Sequence, residues 1–150
     1  MEKTYQKSFF AGWGDMDFNA HMRNTAYLDK SGDTRMMFFS EHGFPMSEFV
    51  RMRIGPVILK DEIEYFREVS LLNEIEVTLS IAGLSRDGSR WLMRNDFFRS
   101  DGKRSARVLS EGAWLDLSSR KLAAPPGRLF EALKMLPKTP DFRQIEAGAR

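Results

Sequence analysis

A chain of 150 residues fits one domain and is long enough to bury most of the apolar surface of its unfolded form, so residues 1–150 are expected to form a single unit. Its 42% hydrophobic and 29% charged residues are those of a globular protein and exclude disordered and fibrous classes. A net charge of +2, with bases and acids interleaved, argues against nucleic acid but is compatible with a phosphate-bearing small molecule, and the absence of cysteine excludes disulfides, a thiolate nucleophile, a zinc ribbon and an iron–sulfur site.

Residues 1–7 are charged and lack the apolar run of a signal peptide. No stretch approaches the roughly 20 apolar residues that span a bilayer, so a cytoplasmic location is expected. Residues 4–11 alternate through Tyr5, Lys7 and Phe9 as a half-buried strand does, and Gly12 and Gly14 break the pattern. Residues 13–23, rich in Gly, Asp and Asn, read as a loop. From Asn24, a suitable N-cap, a 3.6-residue period places Tyr27, Leu28, Ser31, Gly32, Arg35, Phe38 and Phe39 on one side, with Asp29, Lys30 and Asp33 opposite. Gly43 and Pro45 stop it, which predicts one helix over residues 24–42.

Strands are predicted over residues 55–60 leading into 61–67, then 74–84, 89–100 and 104–117. Asp87-Gly88 and Asp101-Gly102 supply the positive φ angles of tight hairpins, so the last three strands form an antiparallel meander. Their alternation, as in Trp91, Met93, Asn95 and Phe97, implies one covered face. After Pro125-Pro126 a short surface helix over residues 128–136 and a loose end are expected. The fold class is α+β: one long helix against one antiparallel sheet.

Polar chemistry concentrates in Gly14-Asp15-Met16-Asp17-Phe18-Asn19-Ala20-His21-Met22-Arg23-Asn24-Thr25-Ala26-Tyr27. Aspartates before a helix ordinarily cap it, and a lone histidine in such a loop is as often an anchor as an acid or base. His42, the other histidine, lies at the far end of the predicted helix, so no metal site is expected.

The order of these residues resembles that of the hot-dog-fold acyl-CoA thioesterases related to 4-hydroxybenzoyl-CoA thioesterase. Their loop reads acid-x-Asp, then His four residues on, Asn three further, and Tyr at the third residue after that. Asp15, Asp17, His21, Asn24 and Tyr27 occupy those positions, with Arg35 eight residues past the tyrosine, and the likeness spans roughly residues 4–126. Gly32 stands where the family often has a glutamate three residues before the arginine.

The resemblance implies an antiparallel sheet wrapped around one long central helix, and a homodimer or homotetramer with the active site at the subunit interface. It implies hydrolysis of an acyl-CoA without a cofactor, CoA being part of the substrate. Asp17 becomes the catalytic carboxylate, as nucleophile or as general base, and amides at the helix start near Asn24 become the oxyanion hole. His21 supports the site, Asp15 supports the loop, and Arg51, Arg53 and Lys60 either meet the CoA phosphates or are solvated surface charges. Two other readings stay open, a hot-dog dehydratase or hydratase and a non-catalytic acyl-CoA binding module.

Overall fold

The computed structural model describes residues 4–147. In chain order it contains β1 (Gln6–Phe10), a 3-10 turn (Trp13–Asp15), α1 (Asn24–Glu41), α2 (Met46–Met52), β2 (Ile54–Tyr65), β3 (Glu74–Thr78), β4 (Ser80–Ser85), β5 (Arg90–Arg99), β6 (Arg104–Asp116), β7 (Lys121–Ala123), α3 (Gly127–Met135) and β8 (Lys138–Ile145). One sheet holds all the strands. It runs β2-β6-β5 and then forks, because β3 and β4 both pair with β5; β1 lies outside β3 and β8 outside β4.

The expected α+β architecture, a sheet curved about one long helix, is what the chain adopts. Gly88 and Gly102 have φ of +78° and +81° in the two Asp-Gly turns, and β4, β5 and β6 form the antiparallel meander those turns predict. Helix α1 ends where Gly43 takes a φ of +88° and the Phe44 amide reaches back to the Phe39 carbonyl at 2.9 Å. This closure satisfies a terminal carbonyl and needs a residue without a side-chain penalty in the left-handed region.

Trp91, Met93, Asn95 and Phe97 of β5 and Val108, Ser110 and Trp114 of β6 are all buried on the face that α1 covers. Gly112 stands among them because the Trp91 indole packs against it and leaves no room for a Cβ. Two apolar clusters result. One gathers Phe38, Phe39, Phe44, Phe49, Trp91 and Trp114 with Leu129 and Leu133 of α3. The other joins Met22, Ala26 and Tyr27 to Val77, Phe97 and Val108 beneath the loop that precedes α1. Burial of each large side chain stabilises by about 1.5–3 kcal/mol, so this second cluster fixes the loop to the sheet.

Five expectations need correction. Arg23, not Asn24, is the N-cap, and Asn24 is the first helical residue, without a side-chain capping bond. Lys30, placed on the solvent side of the wheel, is buried at 8% exposure, since β1 and the loop cover that flank of α1 as the sheet covers the other. The run 74–84 is two strands broken at Leu79, whose amide turns to the Tyr5 carbonyl at 2.9 Å. The seven-residue α2 went unseen as too short for a periodic signal. Finally, the tail beyond α3 is not loose: β8 pairs with β4 in parallel, the exception to an otherwise antiparallel sheet, and buries Thr139. Pro137 and Pro140 suggested a break, yet proline is tolerated on an outer strand whose N–H groups need no partner.

Candidate functional site

The loop before α1 is built by its own backbone. Met16 and Met22 form an isolated antiparallel bridge, so the intervening residues close as a tight turn. The Asp17 amide donates to the His21 carbonyl at 2.8 Å, and Ala20, at a φ of +64°, donates to the Asp17 carbonyl at 3.2 Å. Within this turn the Asp17 carboxylate accepts two amides at one oxygen, Oδ1, from Asn19 at 2.9 Å and His21 at 3.1 Å. Among the described residues Oδ2 has no hydrogen-bond partner, and the side chain is exposed. One oxygen is thereby positioned and the other left free.

Asp15 anchors the same loop from beneath. Its Oδ2 accepts the Gly12 amide at 2.8 Å and the Lys30 ammonium at 2.9 Å. Partial burial alone raises the Asp15 pKa, but the Lys30 and Gly12 hydrogen bonds together with Lys30 and Arg23 charge outweigh it and hold the carboxyl below its ordinary value. The Asp15 carbonyl also takes the Arg23 amide at 2.8 Å, and the Met22 amide binds the Val69 carbonyl at 2.8 Å. These bonds deliver the chain into α1 at Asn24. The first intrahelical bond runs from Ala26 to Arg23, so among the described residues the amides of Asn24 and Thr25 are unpaired at the positive end of the helix dipole.

Asp17, His21 and Asn24 line one open cleft of about 540 Å³ together with Tyr27, Tyr65, Phe66, Arg67 and Glu68. His21 Nε2 lies 2.7 Å from Glu68 Oε2 across it, both side chains well exposed, so the pair orients the ring more than it stabilises the fold. Tyr27 is buried at 2% exposure, edge-on to Tyr65 at 5.5 Å and Phe97 at 5.0 Å. Burial, opposed in part by Ser105, pushes its phenol up to about 12, so it stays neutral at physiological pH.

The other expected cations lie elsewhere. Arg51 on α2 is held bidentately by Glu48 at 2.9 and 2.8 Å, Arg53 donates to the Ser118 hydroxyl at 2.7 Å, and Lys60 pairs with Glu62 at 3.0 Å. None lines the cleft. Among the described residues Arg35 meets no carboxylate directly: its Nη1 reaches Ser110 Oγ at 3.4 Å, and that hydroxyl donates to Asp61 at 2.6 Å. Burial lowers its guanidinium pKa and Asp61 partly restores it. Sequence reading missed Lys30, Tyr65, Arg67 and Glu68. Tyr65 ends β2 and residues 66–68 follow it with no motif of their own, and their place in the cleft depends on long-range pairing.

A family model described as the Thioesterase-like superfamily matches residues 11–134. Among curated proteins none matches. Solved structures share the fold: a hypothetical protein from Staphylococcus aureus in complex with CoA is 20% identical with a TM-score of 0.79, the alignment covering 93% of this chain and 89% of that one. A 1,4-dihydroxy-2-naphthoyl-CoA thioesterase from Synechocystis is 15% identical, TM-score 0.78, over 89% of this chain and 98% of that one. A probable thioesterase from Escherichia coli is 21% identical, TM-score 0.71, over 89% and 99%.

Proposed function

We propose that this chain, which belongs to the Thioesterase-like superfamily and has its hot-dog fold, hydrolyses an acyl-CoA to the free acid and CoA in the cleft at Asp17. The observation that carries the reading is a carboxylate with one oxygen fixed and one free, in the same cleft as a helix start whose amides at Asn24 and Thr25 are unpaired. A thioester carbon is electrophilic and its thiolate, of pKa about 8.5, leaves readily, so a carboxylate and an oxyanion hole are enough. Asp17 either attacks the carbonyl carbon, expelling the CoA thiolate and leaving a mixed anhydride that water then hydrolyses, or takes a proton from a water that attacks the carbon and displaces the thiolate, while the amides stabilise the oxyanion. His21, bound to Glu68, orients the loop rather than the substrate.

Among the described residues the twelve residues of β2 pair only with β6, leaving an open edge. Ile58 at 41% exposure stands on that strand, and Tyr65 at 53% stands at its end, where it lines the cleft. A second copy adding its β2 there would cover these side chains and continue the sheet, giving a homodimer, or a homotetramer if dimers pair further. Arg51, Arg53 and Lys60 would then serve CoA only through the neighbour's cleft. Sedimentation is expected to give a dimer or tetramer, and the double change Ile58→Asp with Leu59→Asp to give monomer with most activity lost; a wild-type monomer of full activity would refute this assembly.

The purified protein, incubated with a chain-length series of acyl-CoAs and a thiol reagent, is expected to release free CoA thiol. Consumption of an enoyl- or hydroxyacyl-CoA without thiol release would instead mark a hydratase. Binding without turnover would mark a carrier module. No helix of the described residues is long and apolar enough to cross a membrane.

A further inference from the structure

We propose that the rim made by Phe66, Arg67 and Arg104 holds the phosphates of the 3′-phosphorylated adenosine diphosphate end of the substrate; the proposal rests on the acyl-CoA reading. Arg67 lines the same cleft as Asp17. Its Nη1 donates to the Arg104 carbonyl at 3.4 Å, and among the described residues it pairs with no carboxylate. The Arg104 guanidinium lies over the Phe66 ring at 4.6 Å, which fixes its plane without consuming its donors. Its nearest carboxylate is Asp96, 3.7 Å away.

Asp96 is already committed. Arg107 Nε reaches it at 2.7 Å and Arg94 Nε at 3.4 Å. Three guanidiniums, those of Arg94, Arg104 and Arg107, therefore share one carboxylate, and the other nearby acid, Glu68, is taken by His21. The planar donor forks of Arg67, which lines the cleft, and of Arg104, joined to it through Phe66, are what recognises a polyanion bidentately, and they raise the local concentration of one at low salt. Phe66, 42% exposed, adds an aromatic face at the same mouth for a purine base. By contrast Arg51 and Lys60 have acids of their own and lie outside the cleft.

The test compares one acyl group carried on CoA and on pantetheine, which lacks the nucleotide. Arg67→Gln and Arg104→Gln are each expected to lower the ratio of kcat/KM for acyl-CoA to that for S-acyl-pantetheine by about tenfold, through KM. The inhibition constant of adenosine 3′,5′-bisphosphate should rise in parallel. Equal losses on both substrates, or a change of ratio in Arg51→Gln, Arg53→Gln or Lys60→Gln but in neither rim variant, would overturn the assignment. If the wild-type chain releases thiol from neither substrate, the hydrolase reading fails by itself. Calorimetry with CoA then still decides the rim: binding weakened about tenfold in Arg104→Gln supports it, and equal or absent binding overturns it.

Discussion

Asp17→Asn should lower turnover of acyl-CoA by about 10³-fold, within the range that a positioned carboxylate contributes as base or nucleophile, while leaving the thermal midpoint unchanged. The asparagine Oδ1 keeps both amide bonds that Asp17 accepts, from Asn19 at 2.9 Å and His21 at 3.1 Å. The turn is therefore preserved, whereas the free oxygen that would attack carbon or water becomes an amide nitrogen. Because the folded loop survives, the loss reports on chemistry. A variant within a few-fold of wild-type turnover would remove Asp17 from its role.

Lys30→Met should destabilise the chain by about 2–3 kcal/mol, the cost of leaving one member of a largely buried ion pair without its partner, reduced because Asp15 retains some solvent. Turnover should fall by about tenfold as well, since Asp15 carries the Asp17 loop and its carbonyl receives the Arg23 amide at the helix start. Urea unfolding measures the first effect, and the double variant Asp15→Asn with Lys30→Met should recover part of it. The sign of the pH dependence is fixed by the direction of the Asp15 shift. Its folded pKa is depressed, so its contribution is complete above the unfolded carboxylate value of about 3.9 and is lost as pH falls through the lower folded value. That acid-side loss should be missing from Lys30→Met. An unchanged unfolding free energy in this variant would contradict the role assigned to the pair.

The order of elements was legible wherever a local signal existed. Asp-Gly pairs located the hairpins, and Gly43 located the end of α1. The spacing of Asp17, His21 and Asn24 brought together three residues that do share a cleft. What stayed hidden depended on which surfaces the rest of the chain covers. A helical wheel assumes one wet flank, but α1 is enclosed on two, so Lys30 turns inward to Asp15. Residues 65–68 enter the cleft because β2 pairs with β6 along its whole length, which no short window contains. Strand β8 was masked by its prolines, and the Leu79 break has no glycine or proline to announce it. Arg51, Arg53 and Lys60 drew attention as cations, yet it is Arg67 that lines the cleft.

The most direct test is a crystal structure of Asp17→Asn soaked with a slowly hydrolysed acyl-CoA. The account predicts the thioester carbon beside residue 17, with its carbonyl oxygen accepting from the Asn24 or Thr25 amide. An acyl-CoA bound elsewhere, with residue 17 facing solvent alone, would contradict it.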